Sequence, residues 1–183
     1  MILKEPVHKI KAAREGACVE RTHTFLTVGP QYTNGFHTFN MLAMLRILYP
    51  DCSKTLVWAI LEHDLPERWI GDSPYPAKTM GILNKDVEAK YEEEICESIF
   101  GYYATGVLSE EELNWLKGLD LLEFWFWMLD ERSLGNQTIA RMFTRVDKIF
   151  RSRAAETPGP ILDAYYQSKV MAWEQLPELG EVE

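Results

Sequence analysis

Cysteine is scarce in this chain, and its placement does not suit a covalent framework. Cys18, Cys52 and Cys96 lie far apart, are odd in number and form no CxxC. That pattern excludes a disulfide frame and a zinc ribbon and points to reduced thiols of a cytoplasmic protein. Positive charge is also short, with 19 Lys and Arg against 28 Asp and Glu, a net charge of −9. Phosphate backbones select basic faces, so a nucleic-acid polymer is excluded as the expected partner. A small anionic ligand is not excluded, because a metal with two or three cations reverses the field locally. No apolar run approaches the roughly 18 residues that a membrane helix needs. The opening MILKEPVHKIKAAREG is too charged for a signal peptide. No repeat or low-complexity tract appears, and no hairpin or βαβ unit can be traced.

What is present is a globular composition, 183 residues with 46% hydrophobic and 12% aromatic content. It predicts one domain over residues 1–176, followed by an acidic tail at 177–183. Helical signals dominate. A short helix is expected over 6–19, then a Gly-, Thr- and Pro-rich connector. FHTFNMLAMLRILY (36–49) is apolar on nearly every side, which predicts a helix buried all round. Asp51 or Ser53 can cap the next helix, KTLVWAILEHD, and residues 66–78 read as a loop with one helical turn. Further helices are expected over 86–100, from the capping box Ser109–Glu112 to a stop at Gly135-Asn136, over 137–155, and after TPGP. The fold class is therefore all-α, about six or seven helices.

The stretch EHDLPERWIGDSPYPAK (62–78) concentrates the chemistry. There are four histidines in the chain, so each can be weighed. His8 lies in a polar segment. His37 heads an apolar helix and His63 ends another, where a hydrogen-bonded core histidine is the plain alternative to a metal ligand. The adjacent His63-Asp64 pair offers a nitrogen and a carboxylate oxygen to one cation, a mixed donor set that hard or borderline divalent metals accept. Asp120 sits in LKGLDLLEFWFW, where Leu116, Leu119, Phe124 and Trp127 predict a buried stripe and a carboxylate is costly unless paired or metal-bound. Asp147 is the competing candidate, but Arg145 and Lys148 flank it and a surface salt bridge accounts for it.

Together, His37, His63-Asp64 and Asp120 resemble the H…HD…D signature of the HD-domain metal-dependent phosphohydrolases. The longer run H-D-x-x-E-x-x-x-G-D-x-P, here His63, Asp64, Glu67, Gly71, Asp72 and Pro74, is more specific. It resembles the small bacterial 5′-deoxynucleotidases and the viral dATP triphosphohydrolases, over about residues 15–150. The resemblance implies a compact HD-domain helical bundle. It implies a divalent metal (Zn, Co, Mn or Mg) on His37, His63, Asp64 and Asp120. Glu67 would orient or deprotonate the attacking water, and Asp72 would be a second acid near the scissile phosphate and sugar. Arg21 and Lys78 would hold phosphate oxygens. The plain alternatives are a helix-end acid for Glu67, a turn-forming Asp-Ser for Asp72 and solvated cations for Arg21 and Lys78.

One departure separates this chain from the nucleotidases. Where they follow Arg with a Trp that packs on the sugar, this chain reads Arg21-Thr22-His23-Thr24, and the spacing to His37 is one residue longer, through Gly29. Thr22 and His23 thus become candidate substrate contacts, with packing the alternative for His23. The viral enzymes carry a similar Arg-x-His run, so the expected substrate is a deoxynucleoside triphosphate, dATP first. A 5′-deoxynucleotidase is the second reading, and a non-enzymatic nucleotide-binding HD module the third. Trp125-Phe126-Trp127 faces all round its helix and predicts core plus a subunit interface, hence a homo-oligomer. Glu92-Glu93-Glu94 reads as a solvated face.

Overall fold

A computed structural model describes residues 5–71 and 84–175, with the side chains at 85 and 172–175 left aside. Among these residues there is no strand, and the one β-bridge pairs Glu20 with Thr33. The helices are α1 Pro6–Gly16, α2 Asn34–Leu48, α3 Lys54–Glu62, α4 Glu67–Ile70, α5 Lys85–Phe100, α6 Glu110–Ser133, α7 Ala140–Ser152 and α8 Gly159–Gln175, with a 3-10 turn at Thr105–Val107. Seven of the α-helices have nine residues or more and α4 is a single turn, so the all-α expectation of six or seven holds. No described helix is long and apolar enough to cross a membrane.

Local chemistry sets the helix ends. Ser53 accepts the Leu56 N–H at 3.0 Å and starts α3. Ser109 and Glu112 exchange bonds, Glu112 N to Ser109 Oγ at 3.2 Å and Ser109 N to Glu112 Oε2 at 2.9 Å, the reciprocal capping that opens α6. Gly135, at φ 91°, stops it. α7 begins later than the expected residue 137 because Asn136 Oδ1 accepts the Thr138 N–H at 3.0 Å, a side-chain turn that competes with helix.

The chain divides into two compact units, Met1–Thr24 with Gln31–Leu113 and Phe25–Pro30 with Asn114–Glu183. In the first, α2 packs on α3, burying Met41, Leu45, Leu56, Ala59 and Ile60, each large side chain contributing about 1.5–3 kcal/mol. A second cluster of Ala12, Leu65 and Ile99 lies beside it. Arg68 on α4 binds Glu15 on α1 through Nε at 2.6 Å. Buried Glu62 accepts the Ala104 and Thr105 N–H groups, closing the 3-10 turn onto α3.

The expectation that α2 is buried all round is corrected here. Its buried residues are Asn34, His37, Met41 and Leu45, one stripe at helical spacing. Phe36, Phe39 and Ile47 are 46%, 69% and 77% exposed. Among the described residues α2 packs chiefly on α3, which covers one face, and composition does not say how many neighbours a helix has.

In the second unit Trp125 lies edge-on to Phe143 and Tyr165, with ring centroids 5.0 and 4.9 Å away, and its indole donates to Ser168 Oγ at 3.0 Å. This accounts for Trp125 as core. Trp127 is buried, Phe126 is half-buried, and Phe124 stacks on Trp127. Glu93 and Glu94 are exposed as expected, with Glu92 half-buried.

Asp147 does form salt bridges, but with Lys169 and, at 2.8 Å, Arg151, while the Tyr165 hydroxyl donates to it. Burial would raise its carboxyl, but the Lys169 and Tyr165 hydrogen bonds and the Lys169 and Arg151 charges outweigh that and hold it below the usual range. A depressed folded pKa contributes stability that is present above the unfolded value, about 3.9, and is lost as pH falls through the folded value. Asp147→Asn is therefore expected to melt about 2–4 °C below wild type at pH 7, the shift that ~1 kcal/mol gives in a chain of this length. The gap should narrow as pH falls below the unfolded value and close once the carboxyl of folded wild type is itself protonated. A gap constant with pH would show that the ion pairs contribute nothing.

Candidate metal centre

The site in the first unit is built where α2 begins and α3 ends. After α1 the chain turns, and the Asn34 and Gly35 N–H groups donate to Val19 O and Ala17 O, both at 2.9 Å. A Cβ on Gly35 would sit 3.0 Å from Ala17 O, so the close approach needs glycine. Thr33 caps α2 by accepting the Phe36 N–H, and the stripe Asn34-His37 then faces inward. At the end of α3, the His63 N–H still donates to Ala59 O at 3.0 Å. The chain continues through turns, with Glu67 N donating to Asp64 O at 3.2 Å, into α4.

This brings His37, His63 and Asp64 together, with one ligand atom from each lying within 4.8 Å of the others. His37 Nε2 and His63 Nε2 face Asp64 Oδ2 at 3.6 and 3.0 Å. The other ring nitrogens are engaged. His63 Nδ1 is 2.8 Å from Ile60 O, and His37 Nδ1 is 3.1 Å from the Tyr32 hydroxyl. The Ile60 carbonyl can only accept, so the His63 proton sits on Nδ1 and Nε2 is left as the ligand atom, the arrangement a metal-binding histidine uses; the Tyr32 hydroxyl allows the same tautomer at His37 by accepting. Two imidazole nitrogens and a carboxylate oxygen suit a divalent metal. The residues present therefore fit such an ion.

Arg21 also joins the cluster. Its Nη1 is ion-paired with Asp64 Oδ2 and lies 3.4 Å from Asn34 Oδ1, and the guanidinium stands 5.6 Å from the centroid of the Tyr32 ring. The Arg21 N–H donates to Tyr32 O at 2.8 Å beside the Glu20–Thr33 bridge, which closes the connector at its neck. Burial would raise the Asp64 carboxyl, but the Arg21 charge, then His63 and His37, hold it well below the usual carboxylate range.

Glu67 is buried, and Asn34 Nδ2 donates to its Oε2 at 2.8 Å. Thr22, next to Arg21, has φ 55°, a left-handed conformation that costs a β-branched residue about 1–3 kcal/mol. Its Oγ1 is buried without a hydrogen-bond partner. His23 is exposed.

Of the first-unit candidates, His37, His63 and Asp64 converge, Arg21 is ion-paired with Asp64, and Glu67 is joined to this group through Asn34. Asp120 is half-buried on α6 in the second unit. Asp72 and Lys78 lie outside the described residues. Sequence reasoning missed Tyr32 and Asn34. The signal for Asn34 was available, a polar residue one turn ahead of His37 on the same helical stripe. An apolar cavity of about 360 Å³ between Gly16, Gly35, Phe39, Leu42, Leu61 and Phe100 shares Asn34 with this cluster. None of His37, His63 and Asp64 lines it.

No family model and no curated protein matches this sequence. Among solved structures, the chain is similar to the HD phosphohydrolase DatZ of cyanophage S-2L, determined bound to dA and one catalytic Zn²⁺ ion. The identity is 18% and the TM-score 0.67, over 95% of this chain and 99% of that one. At that level the likeness is one of architecture: this chain has the all-α fold of that HD phosphohydrolase.

Proposed function

We propose that this chain is a metal-dependent phosphohydrolase of deoxynucleotides, and within that class a deoxynucleoside triphosphate triphosphohydrolase with dATP as favoured substrate. The observation that carries the reading is the His37, His63 and Asp64 group with buried Glu67 hydrogen-bonded beside it. The dA and Zn²⁺ named for the cyanophage enzyme support an adenine deoxynucleoside and a divalent metal.

In this reading His37, His63, Asp64 and Asp120 hold the ion (Zn, Co, Mn or Mg). When bound, the ion supplies Lewis acidity, lowering the pKa of a water and neutralising phosphate charge. Glu67 takes the proton of the water that attacks the α-phosphorus, the bond from that phosphorus to the sugar 5′-oxygen breaks, and the proton passes to the departing oxygen, giving deoxynucleoside and triphosphate. Asp72 stands as second acid near the phosphate and sugar. Arg21 and Lys78 hold phosphate oxygens, the guanidinium fork matching their geometry. The Thr22 hydroxyl and His23 contact the substrate. The reading includes a homo-oligomer, for which Phe36, Phe39 and Ile47 on α2 offer apolar surface.

The test is a panel of deoxy- and ribonucleotides at every phosphorylation state, with each metal, products resolved by chromatography. dATP should give deoxyadenosine and intact triphosphate. A triphosphate tail carries about four negative charges, so Lys78→Ala should slow dATP more than dAMP. Fast dAMP with inert dATP would replace the reading with a 5′-deoxynucleotidase. Nucleotide binding without hydrolysis under any metal would leave a non-enzymatic module.

A further inference from the structure

We propose that Asn34 is a positioning residue that sets Glu67 against the metal-binding segment, an inference that rests on the phosphohydrolase reading above. Asn34 is 3% exposed. Its Nδ2 carries two N–H groups, and both are used: one donates to the Asp64 backbone oxygen at 3.0 Å, the other to Glu67 Oε2 at 2.8 Å. Its Oδ1 lies 3.4 Å from Arg21 Nη1, the group ion-paired with Asp64. One amide therefore touches the acid–base candidate, the backbone of a metal-ligand candidate and a phosphate-binding candidate.

The side chain is itself aimed from outside the site. The Asn34 backbone N–H is tied to Val19 O, and Thr33 caps the helix it opens, so the amide is carried on a fixed backbone. Glu67 needs such a partner because α4 has four residues, too few to hold itself rigid. Asparagine suits the position chemically. Two donors on one planar nitrogen fix the Glu67 carboxylate relative to the Asp64 carbonyl. Serine would supply one donor, and aspartate would set a carboxylate against Glu67. Misplacing a reacting group by about 1 Å costs on the order of 100-fold in rate.

The experiment is a double-mutant cycle on the metal-loaded enzyme. Asn34→Ala should lower kcat about 10–100-fold and change KM by less than about threefold, since the lost geometry belongs to the chemical step. In a Glu67→Ala background the same substitution should cost less than about threefold more, because the residue acts through Glu67. Calorimetric Zn²⁺ and Mn²⁺ titrations should give affinities within about threefold of wild type for both single variants. Losses that multiply in the cycle would overturn the proposal, and so would near-wild-type turnover in Asn34→Ala. A fall in metal affinity matching the fall in kcat would assign Asn34 to the metal instead and overturn it too. Should Asn34→Ala fail to fold, Asn34→Ser keeps one donor and carries the same cycle, with an intermediate loss expected. A wild-type chain inactive on every nucleotide removes the phosphohydrolase reading together with this inference. An active wild type with multiplying losses removes this inference alone.

Discussion

Glu67→Ala is expected to lose about two to four orders of magnitude in turnover while still binding metal, the loss usual for a positioned acid–base group. Glu67 opens α4 and is 9% exposed. A helix-end acid retained for the helix dipole alone has no reason to be buried, and a buried carboxylate is costly without strong partners. This one is held by the Asn34 amide at 2.8 Å, and its own N–H is bonded to the Asp64 oxygen, so side chain and backbone are both tied to the residues around the candidate ligands. Its carboxylate is absent from the His37, His63 and Asp64 group, so truncation should leave the ligand set intact. The measurement is kcat at saturating metal, with a calorimetric metal titration on the same protein. Turnover near the wild-type value would make Glu67 a helix-end acid and take it out of the mechanism.

The second large effect concerns stability. Glu131→Gln should destabilise the chain by about 2–4 kcal/mol, read from urea denaturation. Glu131 is 1% exposed, and its carboxylate accepts three bonds: the Val28 N–H at 2.8 Å, the Gly29 N–H at 2.6 Å and Asn136 Nδ2 at 2.7 Å. Burial pushes the carboxyl up, but the Asn136, Val28 and Gly29 bonds outweigh it and hold it below the usual range. Glutamine keeps the shape but turns an N–H₂ toward donors, leaving at least one buried N–H without an acceptor. The Asn136 amide also donates to Leu26 O at 2.8 Å, so the segment 25–30 is fastened to the end of α6 at several points. A Cβ on Gly29 would lie 2.6 Å from Glu131 Oε1, which accounts physically for glycine at that position. A variant within about 0.5 kcal/mol of wild type would show that water satisfies these N–H groups as well as the carboxylate does.

How much of this was legible in the sequence depends on the range of the interaction. The caps at Ser53 and Ser109–Glu112 and the stop at Gly135 act over three or four residues, and those helix ends were predicted correctly. The salt bridge of Asp147 was read correctly as a salt bridge but with the wrong partners. On a helix, residues one and two positions away point elsewhere, whereas Arg151 at i+4 shares the face and Lys169 arrives from α8. The exposure of Phe39 and Ile47 was misread because an apolar helix looks the same in sequence whether one or several neighbours cover it.

The residues of the site divide in the same way. His37, His63 and Asp64 were marked by residue type and by the adjacent imidazole and carboxylate, whereas Arg21 and Glu67 were singled out through the resemblance to the HD phosphohydrolases. That His37 and His63 point their Nε2 atoms at one carboxylate, with Tyr32 and Ile60 O holding the opposite nitrogens, depends on how α2 packs against α3. The sequence by itself determined the all-α class, most of the helix ends and the kinds of side chain available for metal and proton chemistry, because each follows from hydrogen bonds and periodicity within a few residues. Only the tertiary structure decided that Asn34 meets Glu67 across 33 positions and that Val28 meets Glu131 across 103. Such contacts form when distant segments close a loop around a shared core, and no local pattern records which buried amide will find which buried carboxylate.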